Sequence, residues 1–277
     1  MLNQRIAELK RKLKYRHLLG QMVVKNIKKK YKRSVLGVLW TILHPLLYMF
    51  VLTEVFAFLL GRAGASRLYI LTGLLIFQFV SEATNHCLNS ITGNRGLIEK
   101  VYVPKLLFPL SHVLSSLINL GFSLIALIVV VLALLFPISW TALMFFVMLP
   151  ALVLFAAGIG FALAAMFVYF RDISHLYSVF MTLWMYASAI FYNLNDLSKD
   201  SVAPKIIKYN PLYRFIAYFR AVLIGEFKVV DGEIITIRAP YIPQFRELLI
   251  LYGCGIISFI IGAFIFNRLK NKFLLYL

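Results

Sequence analysis

The sequence predicts an all-α polytopic membrane protein. It has six transmembrane helices, an N-terminal amphipathic interfacial helix, and further short elements between spans five and six. Three observations predict this. First, the 277 residues are 61% hydrophobic and only 14% charged, with a mean hydropathy of +0.84. Soluble domains carry roughly 45–50% apolar and 25% charged residues, so one aqueous core cannot hide this much apolar surface. Second, the apolar residues fall in runs of about 20, the length that crosses a bilayer. Third, a dense cationic run ends at Arg33 and an apolar run opens directly after it. Cations stay on the side of synthesis because moving them through hydrocarbon is costly.

The first element covers residues 1–33, which hold twelve of the Lys and Arg. Leu2, Ile6, Leu9 and Leu13 recur at helical spacing with Arg5, Glu8, Lys10, Arg11, Lys12 and Lys14 between them. That pattern suits a helix lying in the headgroup plane, and a solvated basic tail is the plainer alternative. The net charge of +18 raises nucleic acid as a partner. Its concentration beside the first span points instead to anionic lipid headgroups. No small-residue cleavage site follows, and the charged lead is too long for a secretory signal, so the first span is expected to be retained.

The six expected spans are Val35–Leu60, Leu68–Ser90, Leu106–Leu135, Thr141–Tyr169, Ser174–Tyr192 and Leu248–Phe266. An even number places both termini in the cytoplasm. Nineteen Lys and Arg then lie inside; Arg62, Arg67 and eight more in residues 193–247 lie outside. The short loops obey the positive-inside rule, and long translocated segments follow it poorly.

Two spans are unusual. In the second, Gln78, Glu82, Asn85, His86 and Asn89 share one helical face. Either this stripe faces protein or a water-filled path at membrane depth, or the helix has left the membrane by Glu82. In the fourth, Gly158 and Ala162 are four apart, as are Gly160 and Ala164, a spacing that lets helices approach closely.

The segment 193–246 is more than a loop. Asn210–Pro211 reads as a helix start, with Asn as cap and Pro in the first turn. Leu212, Phe215, Ile216, Phe219 and Leu223 make an apolar face, and Gly225 is an expected end. Asp231–Gly232 between β-prone runs reads as a hairpin turn.

Catalytic signatures are absent. There is no G-x-x-x-x-G-K-[ST] phosphate loop, no H-E-x-x-H and no G-x-S-x-G elbow. Cys87 and Cys254 are far apart and read as packing residues. His17, His44, His86, His112 and His175 are scattered, and only His86 has a carboxylate, Glu82, at a helical offset. Asp196, Asp200, Glu226, Asp231 and Glu233 form no recognisable constellation. The aromatics of the fifth span suit an interfacial belt, and they also suit a path for sugar rings.

Four segments resemble the permease subunits of ABC-2 polysaccharide exporters, which move O-antigen, teichoic acid or related lipid-linked glycans. They are KKKYKRSVLGVLWTILHPLLYM (28–49), the stretch 73–110 with its LIEKVYVPK core (97–105), Arg171–Asp172, and YNPLYRFIAYFRAVL (209–223). The chain departs from the family at Ala189–Ile190, where a Ser-Pro is common, which leaves local helix geometry there open.

The resemblance implies a 34–277 transmembrane domain preceded by the cytoplasmic segment 1–33, with 193–246 as a re-entrant outer gate. It implies a homodimer in the plasma or inner membrane with two ATP-binding subunits, which bind the ATP and Mg. No cofactor or metal is expected on this chain and it is not expected to be an enzyme. A cytoplasmic helix within Asn94–Lys105 would couple to the ATPase through Arg95, Leu97, Ile98, Glu99, Lys100, Val101 and Tyr102. Leu97, Ile98 and Val101 would form its apolar face, and Pro104 would stop it. An undecaprenyl-linked glycan would pass between protomers along Trp40, Tyr48, Trp184 and Tyr186. Lys28, Lys29, Lys30, Lys32 and Arg33 would attract its phosphate by charge. A drug- or lipid-exporting permease and a secondary transporter are the alternatives.

Overall fold

The computed structural model describes residues 2–32, 34–60, 67–101, 103–134, 136, 139–192, 203–230 and 233–276. Arg33, Tyr102, Asp196, Asp200 and Asp231 therefore lie outside the described residues, as do the side chains of Leu2, Ile6, Leu9, Leu13, Glu226 and Glu233.

Helix α1 (Leu2–Tyr31) runs 30 residues without a proline, about 45 Å. Its second half is docked onto the protein: Met22 and Val23 are buried. The chain then turns at Gly37, whose φ of 50° suits glycine, with the Gly37 N–H donating to Ser34 Oγ at 3.0 Å. This turn is why α2 (Leu39–Leu60) starts four residues later than Val35. Pro45 sits inside α2 and has no N–H for the carbonyl of Thr41. Ser123 Oγ donates to that carbonyl instead, at 3.2 Å.

Helix α3 (Arg67–Leu88) is the centre of the core, with fifteen of its 22 residues buried. It packs on α2, α5 (Leu107–Ala133), α6 (Met144–Tyr169) and α9 (Pro211–Leu223). Between α3 and α5 lie a single 3-10 turn and the short helix α4 (Arg95–Lys100). After α7 (Ile173–Tyr186) come α8 (Ala203–Tyr209), α9, and an antiparallel hairpin of β1 (Glu226–Val230) and β2 (Glu233–Arg238). Helices α10 (Phe245–Leu269) and α11 (Phe273–Tyr276) follow.

The tightest packing is between α6 and α10. Gly158 and Gly262 face each other so closely that a methyl on either would overlap the opposite backbone. A Cβ on Gly255 would lie 2.5 Å from the Ala151 carbonyl oxygen. Tyr252 OH donates to the Val147 carbonyl at 2.8 Å, Ser258 Oγ to Phe155 at 2.9 Å, and Tyr169 OH to Leu269 at 2.8 Å. These pairs ascend together, so α6 and α10 are parallel. The small residues of the fourth span serve two faces: Gly158 meets α10, while a Cβ on Gly160 would lie 2.7 Å from Cys87 Sγ on α3.

Helix α7 differs from the expected Ser174–Tyr192. Its 14 residues make about 21 Å of helix, short of the roughly 30 Å hydrocarbon core. The chain breaks after Tyr186, and Ala189 takes a φ of 47°. The break continues the same course by other means. Tyr177 OH donates to Thr84 Oγ1 near one end of α3, and Tyr69 OH donates to the Tyr192 carbonyl near the other. Residues 177–192 thus follow α3 for about 22 Å.

Among the described residues, three helical segments are long and apolar enough to cross a membrane: Leu107–Ala133, Trp140–Tyr169 and Phe245–Lys272. Leu39–Val55 is a shorter apolar helix. The outer surface of α10 exposes Ile256, Ile257, Ile260, Ile261 and Phe264, a face suited to hydrocarbon rather than water.

Candidate functional site

The polar stripe of α3 is bordered by α1, α2 and α5, with His86 and Asn89 still exposed. Glu82 is its centre. Its Oε1 accepts from Lys30 Nζ at 2.8 Å and from Asn119 Nδ2, with His86 Nε2 3.8 Å away. Asn119 accepts in turn from Tyr31 OH at 3.0 Å, and Asn26 Nδ2 donates to Ser111 Oγ at 3.1 Å. These bonds hold the end of α1 against the first half of α5. On the α2 side, the Gln78 amide lies 3.3 Å from His44 Nδ1, and the His44 ring stacks on Tyr48 at 5.8 Å.

The Lys30–Glu82 pair stands between two cavities. One, of about 380 Å³, is bounded by α1, α3 and α5 and is lined by Lys25, Lys29, His86 and His112 among others. The other, of about 510 Å³, lies against α2 and is lined by Tyr31, Trp40, His44 and Phe77 among others. The stripe therefore faces protein and polar space. Of the cationic residues singled out from sequence, Lys29 and Lys30 line the first cavity. Lys28 and Lys32 line a further cavity of about 1250 Å³ along α1, which Lys25 and Lys29 also border.

The α4 segment is built from a short helix whose Arg95 Nε donates to Glu99 Oε1 at 2.7 Å. Its expected apolar face is divided. Leu97 and Val101 are exposed, while Ile98 packs against the core. Pro104 follows the helix end, and the segment is then fastened to the chain's far end by Lys105 Nζ, which donates to the Lys270 carbonyl at 2.8 Å. Loss of hydration, and secondarily the charge of Lys270, lowers the Lys105 pKa from its ordinary value.

The four aromatic candidates are not brought together within the chain. Trp40 and Tyr48 are exposed on α2, and Tyr186 is exposed at the end of α7. Trp184 has a different setting: it packs on Phe155 and Phe180, and its Nε1 donates to Asn210 Oδ1 at 2.8 Å. Asn210 caps α9 by accepting from Leu212 N at 3.0 Å, and its amide donates to the Ala187 carbonyl at 2.9 Å.

Arg220 is the residue that sequence reasoning missed. It is 5% exposed. Its guanidinium donates to the carbonyls of Ala189 at 3.0 Å, Tyr69 at 3.0 Å and Ile190 at 3.2 Å, and lies 3.3 Å from the Tyr69 ring centroid. Gly73 makes room for it, since a Cβ there would sit 2.7 Å from Nη2. An arginine one position past an apolar stripe was the available signal. Nothing local says that its partners lie 30, 31 and 151 residues earlier. Among the described residues, no group of three or more His, Cys, Asp or Glu is placed to hold a metal.

An apolar helical body with a polar groove and outward apolar faces defines a membrane-embedded protein. The chain belongs to the ABC-2 type transporter family, whose model matches residues 17–224. It is similar to the O-antigen export system permease protein RfbA of Klebsiella pneumoniae, at 29% identity covering 96% of this chain and 98% of that one. It is similar to the RfbA of Myxococcus xanthus at 29% identity, covering 79% and 84%. It is also similar to the capsule polysaccharide export inner-membrane protein CtrC of Neisseria meningitidis serogroup B, at 24% identity over 88% and 91%.

Proposed function

We propose that this chain is the membrane subunit of an ATP-driven exporter that moves an undecaprenyl-linked cell-surface polysaccharide across the inner or plasma membrane. The observation that carries the reading is the end-to-end similarity to O-antigen export permeases, within a family match of 17–224. The chain acts as a homodimer with two ATP-binding subunits, and ATP and Mg belong to those partners.

The parallel alignment of α6 and α10 supports six crossings. Two parallel helices require the chain between them to return through the same thickness. Residues 173–192, helix plus break, supply that return, with α2 and α3 as the first two crossings. The segment 193–246 then forms the outer gate, and both termini face the cytoplasm with 1–33 at the membrane surface. Exposed Leu97 and Val101 dock on the ATPase, with Arg95, Glu99 and Lys100 around them. Trp40, Tyr48 and Tyr186, exposed on α2 and α7, line the glycan path, while Trp184 holds the α7–α9 junction beside it.

Glycan export normalised to the amount of assembled complex tests this. Replacing Trp40, Tyr48 and Tyr186 together by Ala is expected to slow normalised export severely, since an aromatic–sugar contact should be comparable to an aromatic pair, about 0.5–1.5 kcal/mol. Unchanged normalised export would leave these aromatics as a membrane belt. The purified chain alone is expected to hydrolyse no ATP.

A further inference from the structure

We propose that the 380 Å³ cavity between α1, α3 and α5 is a binding site for a phosphate or pyrophosphate group, held chiefly by Lys25 and Lys29 with His86 and His112 beside them. The inference rests on the export reading and gives it a defined seat for the anionic part of the substrate.

The chemistry of the lining selects an anion. Glu82 is the single carboxylate on this lining, and Lys30 and Asn119 already occupy it. Lys25 and Lys29 have no carboxylate partner among the described residues. The two imidazoles lie 5.9 Å apart across the α3–α5 interface and add donors on the opposite wall. Asn26 and Asn89 add amide groups. Lysine and asparagine donors around an open, polar space suit the many acceptor oxygens of a phosphate. A metal cation is disfavoured there, because three lysines line the space and its one carboxylate is already paired.

The cavity's size falls within the range of small-ligand pockets, about 300–1,000 Å³. A neutral sugar is less well matched, because no Phe, Tyr or Trp lines this space. The adjoining 510 Å³ cavity has the opposite character, with Tyr31, Trp40 and Phe77 on its wall. The two meet at Lys30 and Glu82, so a charged head and a ring-bearing group have adjacent but distinct seats. Gly93 and Asn94, immediately before α4, also border the phosphate cavity. An anion bound there sits against the segment assigned to the ATPase.

The test compares two double variants of the full chain in lipid nanodiscs, each removing two positive charges. Inorganic pyrophosphate is the soluble probe, measured by calorimetry. Lys25→Gln with Lys29→Gln is expected to weaken binding about tenfold or more. Arg268→Gln with Lys272→Gln, exposed positions near the other end of the chain that do not line the cavity, should change it less than about threefold. Equal weakening by both pairs, or none by either, overturns the site. Nanodiscs containing a polyprenyl phosphate separate the two sources. Competition with pyrophosphate assigns the seat to a lipid headgroup, and undiminished pyrophosphate binding assigns it to a free phosphate. Melting temperatures of both variants are measured alongside, and equal values exclude unfolding as the cause. Export intact without cavity binding would remove this site and leave the export function standing. Binding intact without glycan export would do the reverse.

Discussion

The α6–α10 seam and the groove between α1, α3 and α5 are built by opposite means. In the seam, glycines bring two backbones together and the hydroxyls of Ser258, Tyr252 and Tyr169 reach across to main-chain carbonyls. At Gly158, Gly255 and Gly262 no side chain stands between the two backbones. In the groove, long polar side chains span wider gaps, and cavities of about 380 and 510 Å³ remain. Close backbone packing makes a fixed wall, because any shift loses dispersion contacts along its whole length. A wall of Lys, Glu, Asn and His can exchange partners at small cost. The difference teaches where this molecule is rigid and where it can accept something.

The largest expected effect comes from forcing the seam apart. Gly262→Leu places a side chain where the Gly158 backbone stands. Overpacking a tight site typically costs about 1–3 kcal/mol, and here the obstacle is main chain, so the upper end or beyond is expected. Loss of monodisperse protein on gel filtration is the readout. A variant as stable as the parent would show that α6 and α10 are not so closely apposed.

Next is Arg220→Ala, which sets a polar anchor within the apolar body against both regions. Three buried carbonyls lose a charged donor. The cost is about 3 kcal/mol or more. Arg220→Lys should recover only part of it, because an ammonium lacks the planar fork. A melting-temperature series of the three proteins checks the order.

The α4 segment gives a sharper division. Ile98→Asp buries a carboxylate against the core and should lower stability by about 2 kcal/mol or more. Leu97→Asp with Val101→Asp changes exposed positions and should leave the melting temperature unaltered while abolishing co-purification with the ATPase. Retained co-purification would move the docking surface elsewhere.

The smallest effect belongs to the groove. Lys30 and Glu82 are 33% and 25% exposed in their side chains, so a double-mutant cycle with Ala should give a coupling of only about 0.5–1 kcal/mol. A coupling several times larger would make the groove as rigid as the seam.

Much of this was legible in the chain itself. Asn210–Pro211 announced the start of α9 because capping chemistry is local: the Asn210 side chain takes the Leu212 N–H. The stripe from Gln78 to Asn89 was legible as one helical face because period alone puts those residues together, while what that face meets was not. The end of α7 was not legible. Residues 180–192 read as one continuous apolar run, and the φ of 47° at Ala189 is stabilised by Arg220, a residue outside any local window. The role of Trp184 was hidden for the same reason, since its partner Asn210 is 26 positions away. The direction of individual lysines on α1 could not be read either. Which of them face inward depends on how that helix docks against α5.

The parallel course of α6 and α10 also bears on the order of assembly. Neighbouring antiparallel helices can pair as soon as the second is made. A parallel pair cannot, because its members are separated by everything that carries the chain back. Here 75 residues lie between Tyr169 and Phe245. At about 5–20 residues per second, the ribosome needs on the order of ten seconds to bridge that interval. The glycine groove of α6 therefore waits for its partner through the synthesis of α7, α8, α9 and the hairpin, and its closure is among the last events in the making of the protein.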